Sequence, residues 1–288
     1  MTERSEREGG IPVAGTPPSP VPGAGLAAAF AAGPALIAYV PLGDPAAGDT
    51  TTLLDAYADA GVAVLEVGIP AADPWMDGPE VRESMARALA AGTTPATIAA
   101  ALAAWRDRRG PGGPAIVWFG YPEIPADAIA AAASAGRARG ALLLLAPWRH
   151  PAAATLPGIL RAAGVARAAF LPWAATADDR AAAADADGYL MLQARPGVTG
   201  AGAPPALDAA TVAAGRALAP GIPCVAGFGV AGPEDARALC AAGCDGVVIG
   251  SACIRALRVG GPHALHALLA PVAAALRAPA PVSAGAVR

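Results

Sequence analysis

Short apolar runs alternate with alanine-rich segments of helical length along most of this sequence. Each run is followed by glycine, proline or polar residues and then by a stretch long enough to form a helix. Eight such runs are present, at positions 35–40, 62–67, 115–119, 141–145, 168–171, 189–192, 224–226 and 247–249. Continuous apolar runs between helices are typical of parallel strands covered on both faces. The pattern therefore predicts a single-domain α/β protein with a (β/α)8 TIM barrel, and an open doubly wound sheet is the main alternative.

Helix boundary signals agree with this alternation. Asp49 is placed to cap the N-terminus of a helix over residues 50–60, and Gly61 ends that helix before the second run. Pro95 and Pro233 stand at the first positions of two further helices, where the missing N–H of proline costs nothing. The sequence thus predicts where several helices begin as well as where the strands lie.

The two ends of the chain lack this periodicity. Residues 1–24 are polar and then rich in proline and glycine, and no apolar central region of the kind found in signal peptides is present. We therefore predict a disordered N-terminal arm over 1–24, a barrel domain over 25–277 and a loose tail over 278–288.

The composition excludes several classes of protein. The chain has 288 residues, 55% of them hydrophobic, but charged residues, glycine or proline interrupt every apolar stretch before it reaches the roughly 20 residues of a membrane span. The formal net charge is only −3 and the basic residues are scattered, whereas a nucleic-acid groove needs a clustered positive face. We expect a soluble protein that binds neither membranes nor nucleic acids.

Lysine and metal-binding motifs are both missing from the sequence. All 20 basic residues are arginine, so no lysine amine can form a Schiff base with a carbonyl substrate or cofactor. The four cysteines include Cys240 and Cys244 at helical spacing, but no CxxC pair and no HxH pair accompanies them. We predict buried free thiols in a reducing cytoplasm, and neither a metal nor a cofactor.

Two carboxylates stand at the predicted end of strand 2 and on the loop that follows it. Glu66 lies inside an apolar strand, and Asp77 lies on a loop between proline and glycine residues. A buried, unpaired carboxylate costs several kcal/mol, roughly, so it shifts its pKa or finds a partner. Catalytic residues of barrel enzymes lie at the C-terminal ends of the strands, so we expect these two carboxylates to form an acid/base pair. We expect the pKa of Glu66 to be raised, and Asp77 to be more exposed and ionised. The structural alternatives are a glutamate satisfied by a partner and an aspartate that forms a turn.

Glycines cluster after the last three predicted strands. Gly227 and Gly229 follow strand 7, Gly250 and Ser251 follow strand 8, and Gly200 lies on the loop after strand 6. Glycines let the backbone approach an anion closely, and a helix that begins near Ser251 offers free N–H groups. We predict a phosphate site, with simple strand-to-helix turns as the alternative.

Five motifs in order along the chain resemble those of one known family. They read YVPLGDP at 39–45, LEVGIP with DP and DGP at 65–79, RPGVTGA at 195–201, GFGV at 227–230 and GSA at 250–252. These motifs are similar to those of the α subunit of tryptophan synthase. The resemblance implies a TIM barrel without a cofactor that performs the retro-aldol cleavage of indole-3-glycerol phosphate to indole and glyceraldehyde 3-phosphate, in tryptophan biosynthesis.

The resemblance also assigns roles to individual positions. It implies that Glu66 and Asp77 are catalytic. It places the substrate phosphate on Gly200, Gly229, Gly250 and Ser251. It places the indole pocket and the loop that covers it on Tyr39, Phe119, Tyr121, Thr199 and Phe228.

In this family the α subunit binds a β subunit, so the resemblance implies that partner as well as the small phosphorylated indole substrate. The chain departs from the family pattern in the loops that meet the partner, with Ala71 and Ala72 before Asp73, Glu123 after strand 3, and residues 145–148 after strand 4. The alternatives are therefore a stand-alone, indole-producing lyase of secondary metabolism and a non-catalytic regulatory protein that binds a phosphorylated ligand. A barrel isomerase acting on a related phosphosugar is a third.

Overall fold

Eight parallel strands close into a barrel in a computed structural model of the chain. The structure describes residues 24–110, 112–121, 131, 140–143, 155–200 and 205–278. The strands follow one another around the barrel in chain order, and the eighth pairs back to the first. The predicted TIM barrel is confirmed, and the open doubly wound sheet is wrong.

The strands lie within two residues of their predicted positions. They are β1 (Ala35–Val40), β2 (Val64–Gly68), β3 (Ala115–Gly120), β4 (Gly140–Leu143), β5 (Ala166–Leu171), β6 (Leu190–Gln193), β7 (Cys224–Gly227) and β8 (Gly246–Ile249). The end predicted for the fourth strand, residues 144 and 145, lies outside the described residues.

Helices alternate with these strands along the described residues. They are α1 (Ala24–Ala27), α2 (Thr50–Asp59), α3 (Pro79–Ala90), α4 (Pro95–Arg109), α5 (Leu156–Ala162), α6 (Ala177–Ala184), α7 (Ala209–Leu218), α8 (Pro233–Ala241) and α9 (Ser251–Arg277). Ala24, the last residue of the predicted arm, is the first residue of α1. The rest of the arm, and the tail beyond Ala278, lie outside the described residues.

The three predicted helix starts are all present, and side-chain hydrogen bonds cap two of them. The Asp49 carboxylate accepts a bond of 2.9 Å from the backbone N–H of Thr52 and caps α2. Thr94 caps α4, with Pro95 at its first position, and Pro233 begins α8. Each cap satisfies N–H groups that have no partner inside the helix.

Alternate residues of the strands face two separate layers of the core. Along β1, Leu36 and Ala38 belong to the layer between barrel and helices, whereas Ile37 and Tyr39 belong to the layer inside the barrel. Successive side chains of a strand point to opposite faces, and β1–β3 and β5–β8 each supply residues to both layers. Both faces are buried, which is why the strands read as continuous apolar runs rather than as alternating ones.

The C-terminal helix α9 is long and apolar enough, by length and composition, to cross a bilayer. Its backbone breaks at Gly260 and Gly261, which have non-helical angles. Leucines and other apolar residues on both sides of this break are buried, and the helix packs against α2, α8 and β1. The barrel therefore accounts for much of the apolar surface of α9.

A buried ion pair fixes the loop after β1 to α3. The carboxylate of Asp44 is buried and accepts bonds from the Ser84 hydroxyl at 2.6 Å and from the Arg87 guanidinium at 2.8 and 2.7 Å. It also accepts a bond from the N–H of Ala46. Although burial opposes ionisation, these bonds hold the pKa of Asp44 below its usual value.

We expect Asp44→Asn to lower the free energy of unfolding by about 2 kcal/mol, because the variant leaves the Arg87 guanidinium and the Ser84 hydroxyl with a weaker partner. Urea unfolding at neutral pH measures this change. Glu83→Gln is the matched control, since Glu83 is exposed and lies 4.0 Å from the same guanidinium; it should change stability by less than about 0.5 kcal/mol. Equal losses in the two variants would contradict the structural role of Asp44.

Candidate active site

Glu66 points into the barrel from the second strand. In the register of the sheet it pairs with Tyr39 of β1 and with Val117 of β3, and both of those side chains lie in the inner layer. Paired residues of neighbouring parallel strands face the same side, so the Glu66 carboxylate also faces the interior. Only 2% of the residue is exposed.

A tyrosine from the opposite side of the barrel holds this carboxylate. The Tyr189 hydroxyl, just before β6, donates a short hydrogen bond to Glu66 Oε1. Burial and the charge of Asp77 raise the pKa of Glu66 and the Tyr189 bond lowers it, which leaves this pKa at about 7. The burial of Tyr189 raises its own pKa well above the usual value, so the phenol keeps its proton and remains a donor.

Asp77 is buried, contrary to the expectation that it would be the exposed member of the pair. Only 3% of the residue is accessible, and Tyr121 donates to its Oδ2 at 2.5 Å while Thr199 donates to its Oδ1 at 3.2 Å. Burial raises the pKa of Asp77 to about 6, against the lowering effect of these two bonds and of Arg82. The carboxylate is therefore still mostly ionised at neutral pH, but because of its hydrogen bonds and not because of solvent.

The loop after β6 contacts the loop after β2 through Thr199. Its hydroxyl donates to Asp77 and accepts a bond of 2.8 Å from the backbone N–H of Gly78. A Cβ on residue 78 would lie 2.1 Å from the Thr199 carbonyl oxygen, so only glycine allows this close approach. Glycine at this position has a packing reason beyond the turn that the sequence suggested.

Aromatic rings form the walls above the two carboxylates. Tyr39 and Phe119 meet edge to face at 5.6 Å between ring centroids, and Phe170 lies 5.1 Å from Phe228. Phe228 has a φ of +72°, a left-handed conformation that is uncommon for a residue other than glycine. Such conformations persist only where the surrounding contacts hold them in place, and they are common in functional sites.

Glycine backbones and a helix start form the other end of the site. Gly250 precedes α9, and no side chain caps the first N–H groups of that helix. Gly200 and Gly229 lie beside them, both with positive φ values, +80° and +97°. Exposed N–H groups at the positive end of a helix dipole are suited to bind an anion.

One cavity of about 280 Å³ lies between the two carboxylates, the aromatic rings and the glycines. Ten of the eleven predicted site residues line it, namely Tyr39, Glu66, Asp77, Phe119, Thr199, Gly200, Phe228, Gly229, Gly250 and Ser251. Tyr121 is the exception, because it lies fully buried behind Asp77 and contacts the cavity only through that carboxylate. Within the described parts of the chain, no group of three or more His, Cys, Asp or Glu residues is arranged to hold a metal ion.

The sequence reasoning missed three polar groups of the site. Tyr189 opens the sixth strand and looked like part of an apolar run, although a buried tyrosine hydroxyl usually needs a partner. Arg255 lines the cavity one helical turn after Ser251, and Glu80, in the first turn of α3, binds it. The spacing of Ser251 and Arg255 was a readable signal, since residues four apart share a helix face.

Comparison with known proteins agrees with the motifs. The profile of a family described as "Tryptophan synthase alpha chain" matches residues 27–268. The curated tryptophan synthase alpha chain of Rhizorhabdus wittichii is 38% identical over 226 residues, which are 76% of this chain and 81% of that protein. That of Burkholderia pseudomallei is 36% identical over 257 residues, 84% of this chain and 90% of that protein.

Solved structures give the same result. A structure of Mycobacterium tuberculosis tryptophan synthase superimposes with a TM-score of 0.74 at 27% identity, and the match covers 88% of this chain and 98% of that one. Tryptophan synthase subunit alpha from Legionella pneumophila, at 24% identity and a TM-score of 0.69, shows the same fold over 84% of this chain and 92% of its own. The resemblance carried by the motifs is confirmed, and the chain belongs to the tryptophan synthase alpha chain family.

Proposed function

We propose that this chain is a lyase that cleaves indole-3-glycerol phosphate to indole and glyceraldehyde 3-phosphate, the step of tryptophan biosynthesis for which its family is named. One observation carries the proposal: two buried carboxylates, each bonded by a tyrosine hydroxyl, open into the same cavity as a glycine-lined helix start. We further propose that the barrel domain of 25–277 acts in the cytoplasm and needs no cofactor.

The cleavage requires three proton or charge movements. A proton is added to the ring carbon that carries the glycerol chain, and the positive charge that results is shared by the ring nitrogen. The hydroxyl on the adjacent chain carbon then loses its proton, its oxygen forms a carbonyl, and the electrons of the broken C–C bond return to the ring. The reaction therefore needs an acid that becomes a base, together with an anion near the ring nitrogen.

Glu66 fits the role of the acid that becomes a base. A group with a pKa of about 7 is populated in both protonation states near neutral pH, so it can give a proton to the ring carbon and then take one from the hydroxyl. The Tyr189 hydroxyl bonds Oε1, which leaves Oε2 to carry the proton toward the substrate. Tyr189 would therefore position the Glu66 carboxylate.

Asp77 fits the role of the anion. With a pKa of about 6 it is mostly ionised at neutral pH, and it can accept the ring N–H and stabilise the positive charge that develops on the ring. Tyr121 and Thr199 donate to its two oxygens and orient the carboxylate. Tyr39, Phe119 and Phe228 would surround the ring, whose flat apolar faces suit aromatic walls.

The phosphate of the substrate would bind at the opposite end. Gly200, Gly229, Gly250 and Ser251 present backbone N–H groups and one hydroxyl to the cavity. Anchoring the phosphate there would place the glycerol chain and the ring toward Glu66 and Asp77. Binding energy from this remote group then orients the reacting bond.

We expect the purified chain to release indole from indole-3-glycerol phosphate, measured by the absorbance or extraction of indole. Glu66→Gln and Asp77→Asn should each lower kcat by about 10²- to 10⁴-fold, because each variant removes a proton-transfer or charge-stabilising group while keeping its shape. Glu83→Gln, on the exposed face of α3, is the matched control and should retain full activity.

No indole release by the wild-type chain, alone or with a β subunit, would contradict the proposed reaction. Ligand binding without turnover, unchanged in Glu66→Gln, would instead favour the non-catalytic phosphate binder. Turnover of phosphoribosyl substrates in place of indole-3-glycerol phosphate would favour the isomerase.

The ionisation of Glu66 also predicts a pH-dependent stability. Its pKa is raised from 4.5 to about 7 in the folded chain, so folded protein binds this proton more tightly than unfolded protein does, and stability is lost as the pH rises from about 4.5 to about 7. Glu66→Gln removes that loss. We expect the variant to be more stable than wild type by up to ~3 kcal/mol near pH 8 and by almost nothing near pH 4.

Urea unfolding of the wild type and Glu66→Gln at the two pH values measures this difference. Glu83→Gln should show no such trend, because Glu83 is exposed. A stability difference between wild type and Glu66→Gln that is the same at both pH values would contradict a raised pKa.

We also propose that turnover does not depend on the β subunit that the family implies as a partner. The hydroxyl of Thr199 already connects the two active-site loops within the chain, through bonds to Asp77 and Gly78. At the turn between the carboxylates, Ala71 is buried in the inner layer and Ala72 exposes only a methyl group to a partner. Glu123 and residues 145–148 lie outside the described residues.

Indole release by the chain alone should therefore be substantial, and adding a purified tryptophan synthase β subunit should raise kcat by less than about fivefold, the lower end of typical allosteric coupling. Steady-state assays with and without the β subunit, together with a sedimentation test for the complex, measure this. A larger activation accompanied by a stable complex would show that the chain works as one half of a two-subunit enzyme.

A further inference from the structure

An ion pair lies at the phosphate end of the cavity, outside the groups that the family motifs assign. Arg255 Nη1 of α9 lies 2.9 Å from Glu80 Oε1 of α3, and the side chains are 43% and 22% exposed. Arg255 follows Ser251 by four residues, so both lie on one helix face. Long helical side chains point back toward the helix N-terminus, which directs the guanidinium toward Ser251 and Gly250.

The charge balance of the cavity makes Arg255 distinctive. Three carboxylates line the cavity, those of Glu66, Asp77 and Asp235, and Arg255 is the only basic side chain among the described residues that line it. A phosphorylated substrate brings about two further negative charges at neutral pH. Backbone N–H groups offer partial charges only, and the sequence contains no lysine. Among the described residues that line the cavity, Arg255 is therefore the one side chain that can balance the phosphate.

Glu80 lies beside Gly200, one of the glycines of the proposed phosphate site. A Cβ built on Gly200 would be 2.9 Å from Glu80 Oε2, 3.3 Å from Ser251 Oγ and 3.5 Å from Arg255 Nη1. The Glu80 carboxylate, the Ser251 hydroxyl and the Arg255 guanidinium therefore all lie next to the same glycine of the proposed phosphate site. Burial alone would raise the pKa of Glu80, but its backbone N–H and Arg255 hold it below the usual value, so this group is an anion at neutral pH.

We propose that Arg255 is a phosphate-binding residue and that Glu80 is an internal anion which occupies its guanidinium until the phosphate of the substrate displaces it. The proposal rests on the proposed function, because it deepens the description of the same site. A partly exposed ion pair contributes little to stability, so exchanging one anion for another is inexpensive. The phosphate, with its higher charge and three oxygens, is the better bidentate partner for a guanidinium.

Opposite effects of the two partners test this exchange. We expect Arg255→Gln to weaken the binding of 3-(indol-3-yl)propyl phosphate at least tenfold, since the variant removes the only side-chain cation among the described residues that line the cavity. Glu80→Gln should strengthen the same binding about threefold or more, because the competing anion is gone. If the pair serves only to hold α3 and α9 together, breaking it from either side should change binding in the same direction.

Isothermal titration calorimetry with this phosphate ester, and with 3-(indol-3-yl)propanol as the alcohol without phosphate, measures both effects without turnover. The affinity for the alcohol should change less than about twofold in either variant, because the alcohol makes no charge contact. The next ion pair between the same two helices, Arg258 with Glu83 at 3.7 Å, provides the control. Arg258→Gln and Glu83→Gln should leave the affinity for the ester within twofold of wild type.

The outcomes separate the two proposals. If the wild type does not bind the phosphate ester more tightly than the alcohol, the phosphate site itself is wrong, and the proposed function fails with it. If the wild type prefers the ester but Arg255→Gln keeps that preference, or Glu80→Gln weakens binding, the phosphate site stands and the role of Arg255 and Glu80 is overturned. Circular dichroism of each variant identifies a loss caused by unfolding, and Arg255→Lys, which keeps the charge, should then restore most of the preference.

Discussion

The burial of two carboxylates in the mouth of the barrel is the constraint on which the rest of the site depends. A carboxylate out of water is unstable unless hydrogen bonds replace the solvent, and here each receives a tyrosine hydroxyl from elsewhere in the barrel. Tyr189 reaches Glu66 across the interior, so the bond forms only when the barrel is closed. The closed sheet thus sets the pKa of Glu66 as well as its position.

Most of the fold could be predicted from the sequence because each strand and each helix start is indicated by neighbouring residues. A buried parallel strand is a run of four to six apolar residues, and a helix start is a cap or a proline within a few positions. The positions of β1 and α2 and the start of α4 were therefore predicted. The carboxylate pair was also readable, because Glu66 breaks an apolar run and Asp77 follows it closely in the chain.

The hydrogen-bond partners of each carboxylate could not be predicted from the sequence, because they come from residues far away in the chain. Tyr189 is 123 positions from Glu66, and Thr199 is 122 positions from Asp77. The expectation of an exposed Asp77 failed for this reason, since the loop after β2 looks solvated until the loop after β6 covers it. The pair of Glu80 and Arg255, 175 positions apart, escaped notice in the same way.

The single hydroxyl of Thr199 has a thermodynamic consequence. It donates to Asp77 and accepts from the backbone of Gly78, so the loop after β6 is held to the site partly by the ionised form of Asp77. A bond that favours the carboxylate lowers its pKa, and by linkage protonation of the carboxylate must loosen the loop to the same extent. Burial of the same carboxylate acts in the opposite direction and is the larger effect, because the pKa of Asp77 is raised in sum to about 6. The order of the loop and the proton occupancy of Asp77 are thus coupled through two opposing contributions, of which the Thr199 bond favours the ionised form.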